Sequence, residues 1–128
     1  METPETLPKN TLAQEAAYAA VIEHIKQHSG VTVVEILKIL NKCGVPAEGD
    51  QALHLPDYEN ILLWLNLSTE AAVILSRVMG HPNCTCVPTR VLTYMIDGTI
   101  PSLPLARSAR QYVKPRWLPV VWNWVPSP

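Results

Sequence analysis

The distribution of proline most constrains how this 128-residue chain can fold. Six prolines lie between Pro82 and Pro119, whereas helix-spaced apolar residues dominate the sequence before Gly80. Proline lacks a backbone N–H and its ring clashes with the preceding helical turn, so it is disfavoured in helix interiors and in central strands. We therefore predict an α+β protein that is helical in its first two-thirds and short-stranded in its last third.

Two capping boxes predict the first two helices. In each box a threonine and a Gln or Glu three residues later satisfy exposed backbone N–H groups of the first turn. Apolar residues follow at helical spacing, and a glycine ends each run. Val31, in the short connection, can start a strand. The predicted helices run from Thr11 to His28 and from Thr32 to about Cys43, with the boxes at Thr11 to Gln14 and Thr32 to Glu35.

The middle of the chain is predicted to hold a loop and two further helices. The segment VPAEGDQALHLP has the Pro, Gly and Asp content of a loop. Pro56 fits the first turn of a helix over DYENILLWLNL, where its missing N–H is not needed. Ser68 has the position of an N-cap for the helix TEAAVILSRVM. The sequence thus predicts two helices joined by a very short connection.

Residues after Gly80 favour β-structure, because β-forming side chains precede the turn pair Asp97-Gly98. We predict a β-hairpin here, followed by short C-terminal strands. The predicted organisation is a flexible leader of residues 1–10, one domain of residues 11–125 and a tail of residues 126–128. The β-forming residues are Val87, Val91, Leu92, Tyr94, Met95 and Ile96.

Composition and charge narrow the function. Hydrophobic residues make up 48% of the chain, yet no apolar run is long enough for a membrane span, and no export signal begins the sequence. We therefore expect a cytoplasmic protein without a membrane partner. Residues 1–70 hold ten acids and four bases, whereas residues 71–128 hold one acid and six bases. This asymmetry favours an acidic or nucleic-acid partner at the basic end, or mutual attraction of the two halves within the fold.

Cysteine and histidine do not form a convincing catalytic or metal site in the sequence. A zinc site would have to take its ligands from the segment His81-Pro82-Asn83-Cys84-Thr85-Cys86, with Cys43 or His54 as further ligands. Structural zinc sites use two ligand pairs at two- to four-residue spacing, and a single Cys-x-Cys on a strand points its thiols to opposite faces. We predict reduced thiols, no metal and no cofactor. No phosphate-binding loop or nucleophile motif is present, so no enzyme is expected.

The strongest functional pattern is the mixture of basic and aromatic residues near the C-terminus. Tyr112 and Trp117 are interleaved with bases, which suits nucleic acid because rings stack on bases and cations neutralise phosphates. Trp, Tyr and Arg are equally typical of protein interfaces. Trp122 and Trp124 lie two residues apart and share one face of a strand, as in a segment that closes a core. The sequence places the boundary between contact surface and core near Trp117.

The predicted order of three to four helices followed by a β-hairpin resembles the winged helix-turn-helix domain over roughly residues 11–106. The resemblance implies that Ser68 to Met79 lies in the major groove of DNA and that the hairpin touches the backbone or minor groove. It is carried by VIEHIKQHSGVTVVEILKILNKCG as first helix, short strand and second helix, by LSTEAAVILSRVMG as third helix, and by TCVPTRVLTYMIDG with SLPLA as the wing.

These observations predict a non-enzymatic nucleic-acid-binding protein, with DNA as ligand and regulation as role. The alternative is a protein-interaction module on a winged-helix scaffold that docks or inhibits a protein partner. The apolar segment DYENILLWLNL also allows a homodimer. The predicted phosphate contacts are Ser68, Thr69, Arg77, Arg90, Arg107, Arg110, Lys114 and Arg116.

Overall fold

A computed structural model describes residues 9–98 and 100–126, so the leader up to residue 8 and the tail after residue 126 lie outside the described residues. The fold is α+β, as predicted, with four helices, a mixed three-stranded sheet and a two-stranded sheet among the described residues. The elements in chain order are α1 (Lys9–Gln27), α2 (Val33–Lys42), β1 (Glu48–Leu55), β2 (Tyr58–Leu67), α3 (Thr69–Met79), β3 (Cys84–Pro88), α4 (Val91–Asp97), β4 (Arg116–Trp117) and β5 (Val120–Trp124).

Both of the first two helices are present, but only α2 begins at its predicted capping box, because Thr11 lies inside α1. The Thr32 hydroxyl accepts a hydrogen bond from the Glu35 backbone N–H at 3.2 Å, so α2 begins at the predicted cap. The helix α1 begins at Lys9, two residues earlier than predicted. Buried apolar side chains of both helices share one hydrophobic core, and the Glu35 carboxylate lies 2.9 Å from the His24 ring.

The third helix is also confirmed. The Ser68 hydroxyl accepts the Ala71 backbone N–H at 2.9 Å, which caps α3, and the helix ends at Gly80. One face of α3 is buried in the core, whereas Val73 on the opposite side is exposed. Apolar periodicity therefore predicts three of the helices, and local capping sets the start of α2 and α3.

The predicted loop over residues 45–56 and the predicted helix over residues 57–67 are wrong, because both segments form an antiparallel β-hairpin of β1 and β2. The hairpin turns at Pro56 and Asp57, whose φ is 70°. A proline followed by a residue with positive φ matches the φ values of a type II turn. Ile61 and Leu63 alternate inward from this turn, so the apolar run is buried as a strand.

One glycine permits the close packing at the base of this hairpin. A Cβ on Gly49 would lie 2.7 Å from the Leu67 carbonyl oxygen and 2.7 Å from the Ser68 Cα. Glu48 and Gln51 both pair with Leu67, so the strand bulges at this glycine. The end of β1 is therefore pressed against the start of α3.

The predicted hairpin, residues 85–98 with residues 102–106 after the turn at Asp97-Gly98, is wrong, because Val91–Asp97 forms α4 and β3 pairs with β5. Gly98, with φ 95°, ends this helix and its N–H bonds the Tyr94 carbonyl oxygen. The buried Tyr94 hydroxyl accepts the Val33 N–H at 3.1 Å and donates to the Val120 carbonyl at 2.6 Å. These long-range bonds, which local propensity does not include, fix α4 against the core.

The strand β3 pairs with β5 rather than with a neighbour in sequence. On the side of β5 that faces away from β3, Trp122 exchanges two backbone hydrogen bonds with Val31, at 3.0 and 2.9 Å. The lateral order is therefore Val31, β5, β3, and the short strand predicted at Val31 is present as an isolated bridge. Residues 89–119, with α4 and β4, are inserted between β3 and β5.

The tryptophans beyond the predicted boundary close the core. Trp117 and Trp122 are fully buried, and Trp117 makes edge contacts with the rings of Trp64 and Tyr94 at centroid distances of 6.2 and 5.2 Å. The strand β4, which carries Trp117, pairs in parallel with β2. Over the described residues, no helix combines the length and apolarity that crossing a membrane requires.

Candidate nucleic-acid interface

The basic segment predicted from the sequence is a closed surface loop, here called the basic loop, of residues Arg107 to Arg116. Its ends meet because the Ala106 N–H donates to the Trp117 carbonyl at 2.8 Å and the Trp117 N–H donates to the Pro104 carbonyl at 2.8 Å. Ala106 and Trp117 are both buried. The two ends of the loop therefore meet at one place on the core, and residues 107–116 between them are exposed or half-buried.

Tyr112 organises the interior of the basic loop. Its phenol oxygen accepts the backbone N–H groups of Arg107 at 3.2 Å and Ser108 at 3.4 Å, and its hydroxyl donates to the Ser108 carbonyl at 3.2 Å. The guanidinium groups of Arg110 and Arg116 lie over the ring, 4.9 and 4.8 Å from its centre. Two cations are therefore held on one aromatic side chain.

The loop is also fastened to the β1–β2 hairpin. The Asn60 side-chain amide donates to the Tyr112 carbonyl at 2.7 Å and to the Val113 carbonyl at 3.1 Å. The Gln111 side chain donates to the Asp57 carbonyl at 2.9 Å. Sequence reasoning missed Asn60 and Asp57, since no local pattern links them to a segment some fifty residues away.

No cation of the basic loop forms an ion pair with a carboxylate in the described part of the chain. The two ion pairs found there join His24 to Glu35 and Arg77 to Glu15. No acidic side chain follows Asp97 in the sequence. The cations of the loop are exposed or half-buried, and they are Arg107, Arg110, Lys114 and Arg116.

The same environment perturbs the Tyr112 phenol. Desolvation raises its pKa, but hydrogen bonds from Arg110, from Ser108 and from the Arg107 backbone outweigh this effect and lower the pKa to about 8. Near neutral pH the phenol is still protonated and the loop carries its full positive charge. The arrangement can attract an anion, and residues 107–116 include no His, Cys, Asp or Glu.

The predicted contacts on α3 lie elsewhere and are engaged within the protein. Arg77 donates to both carboxylate oxygens of Glu15, at 2.7 and 3.3 Å, and stacks on Tyr18 at 3.9 Å. The buried Ser68 hydroxyl caps α3 and donates to the Pro46 carbonyl at 2.6 Å. Thr69 is exposed. The structure therefore brings together the four cations of the basic loop and does not join α3 to them.

Arg90 is exposed at the start of α4, and its side chain makes no capping hydrogen bond there. Beyond it α4 presents three apolar side chains, here called the α4 ridge, which sequence reasoning missed because the segment was predicted as a strand. Leu92, Met95 and Ile96 are 57%, 58% and 76% exposed. Their i, i+3, i+4 spacing places them on one helical face.

The cysteines and the nearby histidine are packed as ordinary side chains. Burial raises the pKa of the Cys84 thiol and raises that of Cys86 to about 12, so both thiols stay protonated at neutral pH. The His81 ring packs on Trp124 at 5.4 Å and accepts the Asn83 N–H at 3.0 Å. Across residues 9–98 and 100–126, no three His, Cys, Asp or Glu side chains are grouped to hold a metal ion.

Comparison with other proteins gives no relative from which a function could be carried over. No protein-family model matches the chain, and neither a curated protein nor a solved structure matches it.

Proposed function

We propose that this chain is a non-enzymatic nucleic-acid-binding protein of the cytoplasm that contacts phosphates through the basic loop. One observation carries the proposal: four cations share a loop that is closed at Trp117 and fastened by Asn60, with no carboxylate paired to them among the described residues. Clustered positive charges attract a polyanion, and a loop that is already fastened to the protein needs little reorganisation on binding. The three unpaired cysteines agree with a reducing compartment.

The scaffold is proposed to be winged-helix-like. The order α1, Val31, α2, α3, β3, β5 supports this, as does the lateral order Val31, β5, β3. In this scheme the β1–β2 hairpin is inserted before α3, and the basic loop lies within the insertion that links the two wing strands. DNA as ligand and regulation as role follow from the same resemblance.

Phosphate contact is favoured over base readout. In α3 the Arg77 side chain is paired with Glu15, and the Ser68 hydroxyl accepts the capping hydrogen bond from the Ala71 N–H. Base readout uses free Arg, Lys, Asn or Gln side chains, which α3 does not offer. Trp117 and Trp122 are buried and do not stack on bases. Binding through the basic loop should therefore depend little on sequence and strongly on salt.

The test is fluorescence anisotropy with a short labelled DNA duplex. If all four cations contact phosphates, affinity should fall about 100-fold between about 50 and 200 mM salt. The double charge reversal Arg107→Glu/Arg110→Glu should abolish binding. The matched control Lys38→Glu/Lys42→Glu, which makes the same change of net charge on α2, should still bind. Absence of binding at low salt would refute the proposal, as would equal loss of affinity in both double variants.

The second candidate function is protein interaction through the α4 ridge, favoured by the exposure of its three apolar side chains. We assign a second copy of this chain as the occupant. The helix α4 has seven residues and therefore offers only a small apolar area. In a two-fold dimer the α4 ridges of the two copies pack against each other, so the same surface forms both halves of the interface. The apolar segment DYENILLWLNL, from which we predicted a possible homodimer, contains β2, and the apolar side chains of β2 lie largely in the core.

Light scattering over a range of protein concentrations tests this second candidate. We expect a concentration-dependent dimer that Leu92→Ser/Ile96→Ser abolishes. The variant Val73→Ser, which changes an exposed apolar residue on α3, is the matched control and should still dimerise. A monomer at every concentration would refute pairing through the ridge.

A further inference from the structure

A recess in the surface of the basic loop indicates a more specific ligand for the proposed nucleic-acid site. It has a volume of about 380 Å³, and its wall is made by the loop itself. Three of the four cations line it, together with the Tyr112 ring. The lining residues are Arg110, Gln111, Tyr112, Val113, Lys114 and Arg116.

We propose that this recess binds a terminal phosphate monoester, the 5′-phosphorylated end of a nucleic-acid strand. The inference rests on the proposed function and specifies which phosphate the loop selects. A phosphodiester carries one negative charge, whereas a phosphate monoester carries about 1.5 to 2 at neutral pH and has three free oxygens. Three cationic residues that line one concavity therefore match a strand end better than the evenly spaced phosphates of a strand interior.

Two of the three cations that line the recess, Arg110 and Arg116, are oriented before any ligand arrives. Arg116 donates one N–H to the Leu105 carbonyl at 3.1 Å, which fixes its guanidinium beside Tyr112. Arg110 is held over the same ring. A guanidinium offers five N–H donors in a planar fork, so both groups retain donors for phosphate oxygens. The loop backbone is immobilised by Asn60, and little ordering of the site is left to the binding step.

The recess offers little for recognition of a base. Two guanidinium groups lie on the Tyr112 ring, so stacking on that ring would have to displace them. The phenol oxygen is turned to the backbone of Arg107 and Ser108. Val113, the apolar residue at the rim, is 96% exposed. Recognition should therefore depend on the phosphate and not on the identity of the terminal base.

The test compares two oligonucleotides of one sequence, each labelled at the 3′ end, with either a 5′-phosphate or a 5′-hydroxyl group. Anisotropy with the full chain should show about tenfold tighter binding of the phosphorylated strand, the factor expected for added charge-assisted hydrogen bonds. Arg110→Gln and Lys114→Gln should each reduce the preference towards equality. Lys38→Gln, which removes an exposed cation on α2, should retain it. Circular dichroism melting should show that all variants are folded.

The outcomes separate this inference from the proposed function. Equal affinity for the two strands would overturn the inference and leave general nucleic-acid binding intact, whereas no binding of either strand would overturn both. A preference that survives Arg110→Gln and Lys114→Gln would overturn the location. Inorganic phosphate that competes as well as an unlabelled 5′-phosphorylated strand would assign the recess to free phosphate, and tighter binding of a phosphoserine peptide would assign it to a protein; either result overturns the strand end as ligand.

Discussion

The Asn60 side-chain amide lies 2.7 Å from the Tyr112 carbonyl oxygen and joins two parts of the chain that are 52 residues apart. Asn60 belongs to β2, which is anchored in the core by its neighbour Ile61. Tyr112 belongs to the basic loop and holds Arg110 and Arg116. Through the hydrogen bonds of Asn60 and Gln111, the hairpin sets the position of the charged groups.

Replacement of Asn60 by alanine should weaken DNA binding without unfolding the protein. The loop loses both hydrogen bonds from the Asn60 side chain, so part of its ordering is deferred to the binding step, and affinity should fall about fivefold. The free energy of unfolding should fall by about 1 kcal/mol, because the bonds are partly exposed. Anisotropy and urea denaturation measure the two effects. Asn41→Ala, which changes an exposed side chain on α2, is the control. An unchanged affinity in Asn60→Ala would contradict the role of the anchor.

Ionisation of Tyr112 should make binding of the 5′-phosphorylated strand dependent on pH. The phenol, with a pKa of about 8, is neutral below that pH and anionic above it, so affinity should decline as the pH rises through about 8. The charged and polar groups that face the phenol are Arg110, Arg116, and the backbone of Arg107 and Ser108. The phosphate gains its second charge near pH 6, so affinity should be highest between these values.

Anisotropy titrations from acid to alkaline pH test this dependence. Tyr112→Phe removes the ionisable group, so the decline above pH 8 should disappear, although overall affinity falls because the loop loses its internal hydrogen bonds. Tyr58→Phe, on the hairpin, is the control that should keep the decline. A decline that persists unchanged in Tyr112→Phe would assign the pH effect to another group.

Local sequence signals predict the parts of this fold that are stabilised locally. The caps at Thr32 and Ser68 act within three residues of themselves, so α2 and α3 begin where predicted. The cations of the basic loop could be grouped from the sequence for the same reason, since they lie within ten residues. The boundary at Trp117 between charged surface and buried core was also predictable, from the end of the basic run.

Elements that depend on distant contacts were not predictable. The run from Ile61 to Leu65 is apolar at both helical and strand spacing, and only the turn at Asp57 and pairing with β1 decide for a strand. The residues of α4 favour a strand locally, but the bonds of Tyr94 to Val33 and Val120 hold them as a helix. The Asn60 side chain that fastens the basic loop belongs to no local sequence pattern, so this contact was not predictable.

Replacement of Gly49 by alanine should destabilise the hairpin base. The added Cβ would lie 2.7 Å from the Leu67 carbonyl oxygen and from the Ser68 Cα, and both are backbone atoms that cannot rotate away. Displacement of the backbone should cost about 1 to 3 kcal/mol. Gly80→Ala is the matched control, because its Cβ would meet nothing closer than 3.7 Å. Urea denaturation should show a clear loss for Gly49→Ala and little change for Gly80→Ala; equal midpoints would contradict the close approach.

Replacement of Tyr94 by phenylalanine should destabilise the whole fold, since its hydroxyl connects α2, α4 and β5. Removal of this oxygen leaves the buried Val33 N–H and Val120 carbonyl without that partner, at a cost of about 1 to 3 kcal/mol for each group left unsatisfied. Thermal melting followed by circular dichroism should therefore show a large fall in Tm. Tyr58→Phe removes a hydroxyl from a half-buried tyrosine of the hairpin and should melt close to the unaltered protein. If the two variants had the same Tm, the Tyr94 hydroxyl would not be a structural connection between these elements.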